Sequence, residues 1–195
     1  TLFEVVSHVV HPAAQKVTFV PLVGGVGRVR MELHANSLAE SLSRIYDGKF
    51  VPLHAPARVS SRNIRDELLK EDSLLPAIYL TQKLDIAVVG IGYPNEKSAI
   101  MATGYFKENE IESLIDRKVA GELCMQFYDI YGDTAPYKDD NNVIGMDISM
   151  LRSVPRSIGI AGGVEKLRAV RGAINGHYIN TLITDIECAE ALISE

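Results

Sequence analysis

The sequence predicts an α/β fold built on a mostly parallel sheet with helices on both faces. Three observations carry that prediction. Short runs rich in β-branched residues recur along the chain. Several of them lead straight into a glycine pair or a turn cluster. A stretch with apolar residues at helical spacing then follows, and this strand–glycine–helix order is what crossover helices over a parallel sheet require. With 195 residues, no repeat and no Ser/Gly-rich linker, the chain is expected to form one domain over 1–195. A small subdomain has room within 93–150, where the alternation is weakest.

The elements follow in order. Leu2, Val5, Val6, Val9 and Val10 share a helical face that Pro12 ends. Residues 17–23 read as a buried strand, and Gly24, Gly25 and Gly27 follow at once. Leu38, Ala39, Leu42, Ile45 and Tyr46 make a helical face that stops at Gly48. Residues 50–53 form a second strand, leading into a loop that holds His54, Ala55 and Pro56. Helices are predicted over 61–71 and 74–83, the second capped by Ser73 with Pro76 in its first turn. Residues 85–92 are the clearest strand, followed by a loop with Tyr93, Pro94 and Asn95 and a helix over 108–117. Weak alternation makes 122–132 a strand, and 142–148 a further short one. Strand 156–163, helix 164–175, strand 179–185 and helix 186–193 close the chain.

Composition narrows the function. Hydrophobic residues at 47% and charged residues at 23% exclude disorder, collagen and a disulfide-stapled scaffold. A net charge of −5 excludes a broad cationic surface that would grip nucleic acid. Cys124 and Cys188 cannot make a disulfide framework or a zinc cluster, so a reducing, cytoplasmic setting is expected. No apolar run reaches the ~18 residues that span a bilayer, and no membrane partner is expected. The chain begins at Thr1, which fits a piece of something longer.

The chemistry-bearing patterns start with absences. "GGVGRVR" is neither a dinucleotide fingerprint nor a Walker loop, and no nucleophile elbow or zincin helix occurs. His8 and His11 stand at helical spacing with no carboxylate beside them, so no metal and no cofactor are expected. Gly24, Gly25 and Gly27 end a strand and enter a helix. Such a junction either cradles an anion on backbone N–H groups or makes a tight turn, and the anion reading is preferred. Gly162 and Gly163 repeat the pattern, with Lys166 in the following helical turn. A cation there opposes the helix dipole, so it meets either an anionic ligand or an acidic neighbour such as Glu165. Gly90 and Gly92 end the strongest strand, where glycine admits a ligand or a neighbouring side chain. His54, Ala55 and Pro56 could wall the same pocket. Glu122 and Asp129 could accept hydrogen bonds from sugar hydroxyls, or be solvated charges. Thr184 and Glu187 look like a capping box for the last helix.

The segments "FVPLVGGVG", "LHAPA", "DIAVVGIG", "GIAGGVEKLRAVRGAING" and "INTLITD", in this order and spacing, resemble the effector-binding domain of SorC/DeoR-type bacterial transcription regulators. The resemblance runs from about residue 17 to 193. It implies a Rossmann-like fold related to ribose-phosphate isomerases, glucosamine-phosphate deaminases and CoA transferases. It implies a phosphorylated sugar or related small metabolite as effector, a homo-dimer or homo-tetramer, and operator DNA held by an N-terminal helix–turn–helix domain that lies outside this chain. Residues 1–15 would then be the tail of the connection to it. In the family the first glycine turn and the lysine of the second lie in the effector pocket. Here those positions are Gly24, Gly25, Val26, Gly27 and Arg28, with Gly162, Gly163 and Lys166. Arg28 and Arg30 stand where some relatives carry hydroxyl residues.

Two functions fit. The first is a binding module with no catalytic residue. The alternative is a sugar-phosphate isomerase or deaminase on the same fold, for which Glu122 or Asp129 would serve as the base.

Overall fold

The computed structural model describes residues 2–10, 16–26, 34–95 and 98–194. They fold as two compact units, one of residues 2–83 with 142–146, the other of 84–141 with 147–194. The stretch 93–150, which offered room for a subdomain, is divided between them.

The first unit contains α1 (Leu2–Ser7), β1 (Thr18–Phe19), α2 (Ala35–Ile45), β2 (Lys49–Phe50), α3 (Arg62–Leu68) and α4 (Leu75–Thr81). Strands β1 and β2 pair in parallel, with Thr18 opposite Lys49 and Phe19 opposite Phe50. Both are shorter than the sequence pattern suggests. Pro21 and Pro52 have no N–H to give a ladder, so pairing continues only as single bonds. Val51 N–H reaches the Phe19 carbonyl at 2.9 Å, and Met146 N–H reaches that of Leu22 at 2.9 Å. Residues 142–148 are therefore not a strand. Val143 and Gly145 make isolated antiparallel bridges to Arg58 and Val23. Leu53, Leu74, Ala77 and Ile144 form the core, with Val20, Val51 and Leu68 packed against it. Ser61 caps α3 by accepting the Ile64 N–H. Ser73 does not cap α4: Leu74 occupies the capping position without a side-chain bond, and Pro76 sits in the first turn as expected. The break assigned to Pro12 falls outside the described residues.

The second unit contains β3 (Ile86–Gly90), α5 (Ala99–Ala102), α6 (Glu108–Asp116), β4 (Gly121–Leu123), β5 (Gln126–Tyr128), β6 (Arg156–Ile160), α7 (Leu167–Asn175), β7 (Thr181–Ile183) and α8 (Ile186–Ser194). Three strands form a parallel sheet in the order β3–β6–β7. Ala87, Val89, Ser157 and Gly159 alternate into the core, while Ile86 and Val88 point away from it. Gly159 is required there, because a Cβ would lie 2.9 Å from two carbons of Ile179. Helix α7 buries Ala169, Val170 and Ala173 completely. The buried Ser157 hydroxyl donates to the Tyr178 carbonyl at 2.6 Å, and the buried Tyr128 hydroxyl donates to that of Ala169 at 2.9 Å.

The run 122–132 is not one strand. It folds back as an antiparallel hairpin with Leu123 opposite Gln126. Its two turn residues, Cys124 and Met125, have φ of 50° and 62°. Positive φ at both positions is the geometry whose twist matches the flanking strands. The pattern 164–175 also divides, into a 3-10 turn over Val164–Lys166 and then α7. The outcome is a mixed α/β protein with mostly parallel pairing. No described helix is long and apolar enough to cross a membrane.

One side chain holds the end of the second predicted strand. Asn36 Nδ2 donates to the Leu53 carbonyl at 3.0 Å, and its Oδ1 accepts the Leu53 N–H at 3.0 Å. Replacing it strands a peptide donor and acceptor beside the core. Asn36→Leu is therefore expected to cost about 1–3 kcal/mol, read from the urea unfolding midpoint.

Candidate functional site

In the second unit the carboxyl ends of the parallel strands bring several candidate residues together. Such ends are where open α/β sheets take ligands. Strand β3 ends at Gly90, and Ile91 N–H still bonds the Ile160 carbonyl at 3.0 Å. The chain then leaves the sheet and pairs with the hairpin. Gly92 N–H donates to the Glu122 carbonyl at 3.0 Å, and Glu122 N–H returns to the Gly92 carbonyl at 2.9 Å. Glycine at 92 is a close-approach residue, since a Cβ there would collide with the Glu122 carboxyl.

Glu122 is the chemically distinctive group. Its Oε2 accepts the Met125 N–H at 2.9 Å, across the hairpin turn. A little of its surface stays open, but protein surrounds the carboxyl closely. Burial pushes it up to about 7, against the opposing pull of the Met125 N–H and the Lys166 charge. Cys124 beside it is pushed up to about 12 by burial and by Glu122, so it is a thiol rather than a nucleophile.

Lys166 is half-buried at the end of the 3-10 turn, directly before α7. It has no ion-pair partner among the described residues. The acidic neighbour expected for it, Glu165, turns its carboxylate toward Gly163 instead, into the space a Cβ would need. Gly163 adopts φ of 95°, a left-handed conformation that suits glycine. Its N–H is engaged: Asp185 Oδ2 accepts it at 2.5 Å. Asp185 Oδ1 also accepts the Cys188 N–H at 2.8 Å, so Asp185, not Thr184, caps α8. These two bonds hold the Asp185 carboxyl below the usual range. Sequence reasoning passed over Asp185 because its cap lies one position from the Thr184–Glu187 pattern. Its bond to Gly163 spans 22 residues and has no local signal.

Asp129 serves its own turn. Its Oδ1 accepts the N–H groups of Tyr131 and Asp133, both at 2.9 Å.

In the first unit the glycine turn and the loop after β2 lie side by side. Gly25 N–H donates to the Ala55 carbonyl and Ala57 N–H to that of Gly25, each at 2.8 Å. Gly24 N–H donates to the Ile144 carbonyl at 2.9 Å. A Cβ on Gly24 would lie 2.5 Å from the carbonyl oxygens of Ala55 and Pro56, so this glycine is needed for close packing. The Gly24 and Gly25 amides offered to an anion are thus already paired with carbonyls. Val26 is half-buried, His54 and Pro56 are exposed, and Ala55 is half-buried. Gly27, Arg28 and Arg30 lie outside the described residues, as does His11. Among the described residues no group of acidic, histidine or cysteine side chains could hold a metal ion.

The raised Glu122 carboxyl has a measurable consequence. The folded protein keeps a proton there that the unfolded chain releases in the ordinary carboxylate range. Stability therefore falls as pH rises from that range through about 7. Glu122→Gln keeps an acceptor for Met125 and removes that part of the fall, as urea denaturation at a series of pH values will record.

Residues 1–194 match the model of the Sugar-bind family, described as "Putative sugar-binding domain". The sorbitol operon regulator of Klebsiella pneumoniae is 30% identical over 181 residues, covering 92% of this chain and 58% of that protein. The transcriptional regulator LsrR of Escherichia coli is 33% identical over 184 residues, covering 93% of this chain and 56% of that one. The crystal structure of the full-length regulator SorC from Klebsiella pneumoniae superposes with a TM-score of 0.90 at 29% identity, covering 98% of this chain and 63% of that one. The chain thus spans less than two thirds of these relatives. With the five motifs, the glycine turns and the parallel sheet in place, it belongs to the sugar-binding domain family of SorC/DeoR-type transcriptional regulators.

Proposed function

We propose that this chain is the effector-sensing domain of a bacterial regulator of carbohydrate metabolism, and that its effector is a phosphorylated sugar. The observation that carries the proposal is the half-buried Lys166, which makes no ion pair among the described residues and whose charge reaches the half-buried Glu122. A cation of this kind suits a phosphate. A carboxyl near 7 can donate to or accept from a sugar hydroxyl at neutral pH. Gly92, Gly162 and Gly163 let the carboxyl groups of Glu122, Asp185 and Glu165 come close to the strand ends, where they can accept from the hydroxyls of such a ligand. In this reading the protein acts in the cytoplasm as a homo-dimer or homo-tetramer, and an N-terminal domain outside this chain holds operator DNA. Effector binding changes the contacts between subunits, and DNA affinity shifts by linkage of ~1–3 kcal/mol. The fold is then kin to ribose-phosphate isomerases, glucosamine-phosphate deaminases and CoA transferases.

One observation favours a second reading, an isomerase or deaminase acting on a sugar phosphate. A carboxyl poised near neutrality is what general acid–base chemistry needs. Against it, two titratable neighbours of Glu122, the Cys124 thiol and the Tyr128 hydroxyl, are both pushed up by burial and are poor partners for an acid–base pair at neutral pH.

The test compares pentoses and hexoses with their phosphates by calorimetric titration, alongside a turnover assay. The phosphate is expected to bind and the free sugar to bind far more weakly, with no product formed. Lys166→Ala should lower affinity by ~1.5–3 kcal/mol while the ligand-free melting point holds or rises slightly. Equal binding of the free sugar would remove the phosphate from the proposal. Turnover would replace the sensor with the enzyme.

A further inference from the structure

The turn that follows β6 takes its geometry from a residue far along the chain. Gly163 has φ of 95° and ψ of 137°, one of the many conformations open to glycine. Two hydrogen bonds on its own backbone groups select it. Its N–H donates to Asp185 Oδ2 at 2.5 Å, and its carbonyl accepts the Lys166 N–H at 3.1 Å, which closes the 3-10 turn. The same carboxylate lies over Gly162, where a Cβ would stand 3.0 Å from Oδ2. Fixing Gly163 therefore fixes the point from which the Lys166 side chain sets out.

Asp185 is itself anchored. Its Oδ1 accepts the Cys188 N–H at 2.8 Å, and Cys188 is fully buried. A cap for α8 needs one oxygen alone. The second oxygen, which holds a turn 22 residues earlier, is what capping does not explain. Lys166 has no comparable anchor. Its side chain makes no ion pair among the described residues, yet its charge acts on Glu122.

We infer that Asp185 is a positioning residue, whose second oxygen fixes the Gly163 peptide and so aims Lys166 at Glu122 and at a ligand held beside them. Only the ligand rests on the effector site proposed above.

Carbon-13 titration of the Glu122 carboxyl in the ligand-free chain tests it. Asp185→Asn and Asp185→Ser each keep an oxygen to cap α8 and give up the bridge to Gly163. Both are expected to raise the Glu122 midpoint, as Lys166→Ala does, because the cation is withdrawn. Loss of the Asp185 charge by itself would move that midpoint down, so a rise reports on Lys166. Cys124 and Tyr128 also face Glu122, but burial pushes both up and leaves them uncharged at neutral pH. Added to Lys166→Ala, either Asp185 variant should produce no further rise. In titration with the pentose and hexose phosphates, each Asp185 variant should lose about 10-fold in affinity when Lys166 is present. Beside Lys166→Ala the further loss should be less than about twofold. A Glu122 midpoint that stays or falls in both Asp185 variants overturns the positioning role. So does a loss of affinity undiminished beside Lys166→Ala, or tighter binding, which would make Asp185 a competitor for the amide and nothing more. If no sugar phosphate binds the wild type, the effector site falls and the Glu122 titration still decides the role of Asp185.

Discussion

The backbone exchange between Gly92 and Glu122 is the constraint on which the second unit's site depends. Two hydrogen bonds fasten a short hairpin to the chain leaving β3. They add to the packing of the hairpin on α7, where the buried Tyr128 hydroxyl donates to the Ala169 carbonyl, because a two-stranded ribbon by itself is marginal in water. With them, Glu122 is carried to the carboxyl edge of the sheet and placed under the influence of Lys166. The exchange also requires glycine at 92, because any side chain would take the space of the carboxyl. A backbone requirement and an electrostatic one are met at the same residue pair.

The hairpin itself is held at a cost. Cys124 and Met125 both adopt a backbone conformation that suits glycine or asparagine. The Glu122 carboxyl accepts the Met125 N–H and so closes the turn it belongs to. This bond favours the charged form, while burial favours the neutral one, and the balance leaves the group near neutrality. Turn geometry and titration are therefore linked through one oxygen.

How much of this was legible in the sequence follows from the range of each interaction. The strands β3, β6 and β7 were read from local runs of β-branched residues, and α7 lies within the helix expected over 164–175. What failed was decided by partners distant in sequence or by absent donors. Pro21 and Pro52 shortened the first two strands although their apolar runs continue. The hairpin at 122–132 was missed because neither turn residue is a glycine or asparagine. Residues 142–148 looked like a strand, but their partners lie some 80 to 120 positions earlier and meet them only singly. In the site, the residue types pointed to Lys166 and Glu122. That Asp185 reaches back to Gly163, and that Asn36 clamps Leu53, depended on the fold.

The Asp185–Gly163 bond bears on selectivity. A carboxylate joined to the same polypeptide is a resident competitor, present at an effective concentration that no dilution lowers. Any free anion that comes to the Gly163 amide must outcompete it. A small inorganic anion, with only that amide to gain, is at a disadvantage. A larger molecule that also engages neighbouring groups can repay the exchange through its other contacts. If the Gly163 turn belongs to the proposed effector site, the tether sets a threshold there that a small inorganic anion alone does not cross.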